Sequence, residues 1–421
     1  MFEGTVNRCE RRRRRSDPLL SVRSARAVLR IVAAAGAIAM LGLTGTPALA
    51  QEKIRIGILG QFSGPFAVVG KKYREGIEAF TAVYGTRVGG REVEILYRDL
   101  GGSNPSVARR LGEELIVRDG VKLLGGFYLS PEPIALGPVL TETKTPAVVF
   151  NGAALAITQS SPMIVRPAQT QHMIASVQAE WAIKNGWKQA YLAASDYSPG
   201  HDFLSAFRIK HASLGGEIVG EDKIPLNTVD YAPFVERLGK AKPPVYHMFI
   251  PVGAPSVNIM KALRAQGLTG RKDLALIGQA IIDDPFLPLY DDSVVGMYDS
   301  LTYSMDAPGA ENRKYKEALK GKHPNELPSY EGACAYDGML LLYHMIQSQQ
   351  GKPFDGAAAV QASSAHKFEG ARGPIAIEPE TRNATMNVYI RRAIKGPDGK
   401  LKLEITETFA AVKSIPAGTT K

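Results

Sequence analysis

Residues Lys53 to Gly70 read K-I-R-I-G-I-L-G-Q-F-S-G-P-F-A-V-V-G, and the fold is decided there. Ile54, Ile56 and Ile58 alternate with Arg55 and Gly57, the two-residue period of a β-strand, and from Val69 to Tyr84 the apolar spacing turns helical. A strand, a glycine-containing loop and a helix predict the opening unit of an open parallel sheet. Ligands of such sheets lie at the carboxyl ends of the strands, so Ser63, Gly64 and Phe66 are the first candidate contacts. The glycines invite comparison with a phosphate loop. Five residues separate Gly64 from Gly70, however, where that motif has four, and Lys72 stands where its magnesium-binding hydroxyl belongs.

Upstream of this unit, Met1 to Ala50 reads as a secretory signal. Nine arginines between Arg8 and Arg30 precede an apolar run from Ile31 to Leu43, and Ala48-Leu49-Ala50 supplies the small residues of a cleavage site after Ala50. The run is short of the ~20 residues of a membrane span. Ser16-Asp17-Pro18 interrupts what twin-arginine export would keep apolar. The nine arginines stand against Glu3, Glu10 and Asp17, so six of the ten net positive charges leave with the leader and +4 remains on residues 51–421. The basic run is thus a targeting feature, and nothing in the mature chain calls for nucleic acid. Cys9 also leaves, and Cys334 alone cannot form an internal disulfide; among Ala333, Ala335 and Tyr336 it reads as a small buried hydrophobe.

The mature length exceeds the ~250 to 300 residues at which single cores stop growing, so two domains are expected. Strand patterns at Val93–Arg98, Lys122–Phe127 and Ala147–Phe150 alternate with helical ones at Ser106–Asp119 and Pro133–Thr143. The same rhythm repeats from His172 to Ile277. Alternation with crossovers of this length implies parallel sheets covered by helices, an α/β fold. From Gly296 the rhythm breaks into helices at Arg313–Lys320 and Tyr330–Ser348, then short strands from Ile375 to Val412 around the turn Gly396-Pro397-Asp398-Gly399.

Several stretches taken in order resemble one family. They are I-G-I-L-G-Q-F-S-G-P-F-A-V-V-G-K from Ile56, Asp99 closing a strand, L-G-G-F-Y-L-S-P-E-P-I-A from Leu124 and T-P-A-V-V-F-N-G-A-A from Thr145. D-Y-S-P-G-H-D from Asp196, Gly278 after a strand, and A-Y-D-G-M from Ala335 complete the set. Together they resemble the periplasmic leucine/isoleucine/valine-binding proteins of ABC importers. The resemblance implies two doubly wound parallel-sheet lobes joined by a three-strand hinge (the type I periplasmic-binding fold) and closing on a small molecule. Mapped here, lobe one is 51–167 plus 303–384 and lobe two is 168–302 plus 385–414, with 415–421 as a tail. Arg166–Gln169, Ser300–Met305 and a stretch near Ala384 are the crossings. The implied setting is the periplasm, with an inner-membrane ABC permease as partner, a monomeric state and no cofactor.

The family holds the α-carboxylate of its ligand with a serine and backbone amides after the third strand, here Tyr128-Leu129-Ser130-Pro131-Glu132-Pro133. Ser130 equally suits an N-cap with Pro131 at the first helical position. The two prolines lack N–H groups for an anion, and Glu132 adds negative charge. The family's ammonium-binding threonine falls at Ala154 in Asn151-Gly152-Ala153-Ala154, and its acid at Gln279 or Ala280. A buried ammonium without a partner costs several kcal/mol, so the expected ligand is not an ordinary α-amino acid. Asp283 and Asp284 offer an acid, but Asp284-Pro285 reads as a helix start. Phe66, Phe127, Tyr128, Phe150 and Tyr197 at strand ends, with Asn151, Ser198 and Gln279, suit an aromatic or otherwise apolar carboxylate. The candidate ligand contacts are therefore Ser63, Phe66, Tyr128, Ser130, Asn151, Gly152, Ala153, Tyr197 and Gln279. A true branched-chain amino acid binder and a periplasmic ligand sensor are the alternatives. An enzyme is not expected: His201-Asp202 is the one close His and acid pair on a candidate loop and suits a helix start, and the seven histidines show no metal-ligand spacing.

Overall fold

In the computed structural model, residues 53–279 and 281–415 are described; the leader, Ala280 and residues 416–421 lie outside them. The first lobe opens with β1 (Ile54–Gly60), α1 (Ala67–Tyr84), β2 (Arg87–Val88), β3 (Arg91–Asp99) and α2 (Pro105–Glu113). It continues with β4 (Leu123–Gly126), α3 (Pro131–Thr143), β5 (Ala147–Val149), α4 (Ala156–Gln159) and β6 (Ile164–Val165). The six strands form one sheet in the order β2-β3-β1-β4-β5-β6, all parallel except the short β2 hairpin. Only Arg55 of β1 is exposed. The period-2 pattern predicts one buried face, yet both are covered, because crossover helices lie on each side of a parallel sheet.

The second lobe follows with α5 (Gln171–Lys184), β7 (Gln189–Ser195), α6 (Ser198–Ser213), β8 (Glu217–Ile224), α7 (Ala232–Ala241), β9 (Val245–Phe249), α8 (Ala254–Ala265), β10 (Ala275–Gly278) and β11 (Tyr298–Leu301). The chain then makes α9 (Ala310–Lys322), α10 (Tyr330–Gln347) and α11 (Gly356–Ser363), and closes with β12 (Lys367–Gly370), β13 (Gly373–Ile377), β14 (Ala384–Lys395) and β15 (Leu401–Val412). Helices α9 and α10 return to pack on α1, which accounts for the break in rhythm after Gly296. The second sheet runs β12-β13-β14-β11-β10-β9-β7-β8, with β15 on β14. It is parallel from β8 to β11 and antiparallel from β11 onward. The expected short strands at the chain end are instead two twelve-residue strands, β14 and β15, joined at the Gly396–Gly399 turn. At ~3.4 Å per residue such a strand is long enough to pair with β13 at its start and with β11 further on.

The glycines that resemble a phosphate loop have a packing role. Gly64 sits at φ +76°, and a Cβ there would lie 2.1 Å from the Gly101 carbonyl oxygen; at Gly70 it would lie 2.2 Å from that of Gln61. They let α1 close onto its own loop and onto the end of β3. Their spacing answers to that contact, not to a nucleotide.

The hinge is buried and polar. Arg166 follows β6, bridges to Asn383 beside the start of β14, and is fully buried. Arg372 is paired with Asp337 of α10 at 2.6 Å, and its other branch donates to the Pro167 carbonyl. The segments at Arg166 and Asn383 thus run side by side.

Candidate functional site

Strand order fixes where a ligand can sit. In the first sheet β3 and β4 lie on opposite sides of β1, and in the second β8 and β9 lie on opposite sides of β7. Crevices open at the carboxyl ends of strands where the order reverses in this way. The two crevices meet in one cleft lined by residues that follow β4 (Tyr128, Ser130), β5 (Asn151, Ala153), β7 (Tyr197), β9 (Ile250–Val252) and β10 (Gln279). Gln169 and Gln171 come from the hinge side, and Tyr330 and Glu331 from the start of α10.

Six of the nine sequence-derived candidates share this cleft: Tyr128, Ser130, Asn151, Ala153, Tyr197 and Gln279. Ser63 is exposed, and its backbone N–H donates to Asp99 Oδ1 at 3.1 Å. Phe66 packs behind Tyr128 with ring centroids 5.6 Å apart. Gly152 turns its carbonyl toward Arg166. The structure does not bring these three to the cleft surface. Phe127 and Phe150 are fully buried core residues. Phe127 also holds φ 65°, a costly conformation for an aromatic residue, at the turn that delivers Tyr128 to the cleft.

Ser130 has no capping hydrogen bond, although Pro131 does open α3. Instead the N–H groups of Ala153 and Ala154 donate to Ser130 Oγ at 3.2 Å each. With those bonds accepted, the hydroxyl hydrogen remains to donate, and Ser130 faces the cleft. Glu132 lies beneath the loop and is fully buried. Gln61 Nε2 donates to it at 2.5 Å and the Leu129 N–H at 3.3 Å, and burial pushes its carboxyl up to about 8. The negative charge expected at this loop is therefore suppressed near neutral pH.

Asp283 and Asp284 flank the start of a 3₁₀ turn over Asp284–Leu289 without a capping bond. Both are committed to Arg391, with Asp283 Oδ1 at 2.8 Å and Asp284 Oδ2 at 3.5 Å, while Asp299 Oδ1 takes the other branch at 2.5 Å. They build a buried ionic cluster and do not line the cleft. The sequence reading leaves the cleft without an acid, and this is corrected: Glu331, the second residue of α10, lines it and is buried.

Aromatic surface forms one part of the wall. Tyr197 stacks on Phe249, centroids 5.9 Å apart at 11°, and burial raises the hydroxyls of Tyr128 and Tyr197 so both stay protonated. The polar part is incomplete. Gln171 Nε2 and Oε1, Gln279 Oε1 and Glu331 Oε2 are buried and find no partner among the described residues. Buried polar atoms are nearly always paired, so four orphans facing one cleft mark a place for a hydrogen-bonding ligand. None of the described lining residues is Lys, Arg or His. The lobes touch around this space: the Leu155 N–H donates to Asp202 Oδ2 at 2.9 Å, and the Tyr330 N–H to Asp283 Oδ2 at 3.0 Å.

Sequence reasoning passed over Gln171, the β9 loop and Glu331. The loop after β9 had the same strand-end signal as the others. Glu331, by contrast, reads as an ordinary first-turn helix acid, and only packing brings it to the cleft. Cys334, three residues along, is buried and its thiol is pushed up to about 12. Among the described residues no helix is long and apolar enough to cross a membrane, and no three His, Cys, Asp or Glu residues are grouped to hold a metal.

Comparison with known proteins places the chain. The family model for periplasmic binding proteins matches residues 53–399. A Leu/Ile/Val-binding protein homolog of Brucella melitensis is 34% identical over 375 residues, 89% of this chain and 95% of that protein. A solute-binding protein of an ABC transporter from Rhodopseudomonas palustris HaA2, solved with p-hydroxybenzoic acid, is 35% identical with a TM-score of 0.83, covering 86% of this chain and 98% of that one. Another from R. palustris BisB5, solved with 3,4-dihydroxybenzoic acid, is 34% identical with a TM-score of 0.80 over the same shares. With its two-lobed α/β fold and cleft, this chain belongs to the periplasmic binding protein family, as an ABC-transporter solute-binding protein of the Leu/Ile/Val-binding type.

Proposed function

We propose that this protein captures an aromatic carboxylate of the benzoate class by closure of its two lobes and presents it to an ABC permease. One observation carries the reading: two donors without an acceptor among the described residues, Gln171 Nε2 and the Ser130 hydroxyl hydrogen, meet a wall of Tyr128 and Tyr197 in a cleft whose described lining holds no cation. A flat ring suits the aromatic side. A carboxylate suits neutral donors that have no other acceptor, above all the Ser130 hydroxyl. The ligands of the two R. palustris proteins, at 34–35% identity, support the same class.

In this reading 51–167 plus 303–384 and 168–302 plus 385–414 move as the two lobes about the hinge. Ligand contacts to both sides stabilise the closed form by their differential affinity for it, and no bond is made or broken. The protonated thiol of Cys334 and the solvent-exposed pairing of His201 with Asp196 at 2.6 Å accord with a binding protein and not an enzyme. Export with cleavage after Ala50, and a monomeric state, belong to the same proposal.

Glu331 favours one rival, an amino acid whose ammonium pairs with that carboxyl. Isothermal titration of the mature chain with 4-hydroxybenzoate, benzoate and leucine separates the two. Saturable binding of the aromatic acids without a leucine response is expected; tight leucine binding with silent aromatic acids overturns the reading.

A further inference from the structure

Glu331 is the acidic side chain on the described lining of the cleft, and its position is unusual for an ionised group. It is 1% exposed, and Oε2 has no partner among the described residues. The groups facing it are already committed. Lys72 of α1 holds Glu75 at 2.9 Å and Glu326 at 2.6 Å, and Arg391 of β14 holds three aspartates. Asp283, beside Arg391, lies close enough for one oxygen to accept from the N–H of the adjacent Tyr330, so a second negative charge at Glu331 would face the first. Tyr73 of α1, Tyr128 after β4 and Cys334 on its own helix are neutral neighbours. The first turn of α10 favours an anion there, but burial and Asp283 outweigh it and push the carboxyl up to about 8.

Resting on the aromatic-carboxylate reading, we infer that Glu331 recognises the ligand's carboxylate as a neutral acid, donating its O–H to one ligand oxygen from the α10 side of the cleft. A carboxylic acid against a carboxylate forms one strong charge-assisted bond with the proton held between them. The same pair with both groups ionised is repulsive. Glu331 thus sets both specificity and pH range: an anionic ligand needs it protonated, and an ammonium ligand needs it ionised.

The test is titration of the mature chain with benzoate, which has no second ionising group in the range, from about pH 6 to about pH 9 in buffers of different ionisation enthalpy, in a Glu132→Gln background because the Glu132 carboxyl beneath the Ser130 loop is also pushed up to about 8. The dissociation constant should be flat at low pH and weaken about tenfold per pH unit above the carboxyl's transition, with about one proton taken up per benzoate there. Glu331→Gln keeps a donor but cannot titrate; it should bind benzoate with a flat profile and no proton uptake, its fold checked by circular dichroism. In that background, a flat profile with Glu331 intact, or a Glu331→Gln profile that still bends, overturns the inference while leaving the ligand class intact. Failure of the folded wild type to bind benzoate at any pH overturns the ligand class and this inference with it.

Discussion

Arg166 and Ser130 are coupled through a single peptide unit. Arg166 Nη1 donates to the Gly152 carbonyl at 2.9 Å, and the N–H at the other end of that peptide, on Ala153, donates to Ser130 Oγ at 3.2 Å. The buried guanidinium also holds the Ala154 carbonyl at 2.7 Å and Asn383 Oδ1 at 2.9 Å, with no carboxylate as direct partner among the described residues. Hydrogen bonds in series polarise one another, so the positive charge is relayed toward the Ser130 hydroxyl and makes it a better donor. A cleft with no cation on its described lining thereby gains a bias toward anions.

Arg166→Met removes this source and leaves three buried acceptors unpaired. The expected loss is about 1 to 3 kcal/mol of stability, the cost of leaving buried acceptors unpaired, read from urea denaturation. Arg166→Lys keeps the charge and should recover part of both stability and benzoate affinity.

Ser130→Ala leaves the Ala153 and Ala154 N–H groups without their acceptor. A cost of about 1 to 3 kcal/mol in stability is expected, together with weaker benzoate binding by isothermal titration. Ordinary stability with unchanged affinity would show that the hydroxyl serves neither role.

Asp202 accepts from Leu155 across the cleft mouth. Asp202→Ala removes one lobe-to-lobe bond without touching either sheet. Apparent affinity should fall by about ten-fold or more, the worth of one hydrogen bond to a charged group, with little change in the unfolding midpoint. Small-angle scattering should register a larger share of open molecules.

Glu132 gives a pH prediction. Its folded pKa is raised to about 8 against an ordinary 4.5, so the folded chain binds more protons between those values and stability falls as pH rises through them. The slope is about 1.4 kcal/mol per pH unit for this group. Glu132→Gln should flatten that part of the stability profile and melt higher than wild type near pH 8, measured by thermal denaturation across pH.

The order of elements along the chain was legible in the residues. Ile54 to Ile58 showed the opening strand, alternation showed the parallel sheets, and strand-end loops at Tyr128–Ser130, Asn151–Ala153, Tyr197 and Gln279 pointed to the cleft, because those signals are local and periodic. Tertiary structure decided which of them meet. Ser63 and Gly152 have the same local chemistry as their neighbours but turn to Asp99 and Arg166. Gln171 and Glu331, 160 residues apart by their numbers, converge only when α10 returns to the first lobe. Whether a carboxyl such as Glu331 is charged was also beyond the sequence, since burial and the neighbouring Asp283 set it, and both arise only from packing.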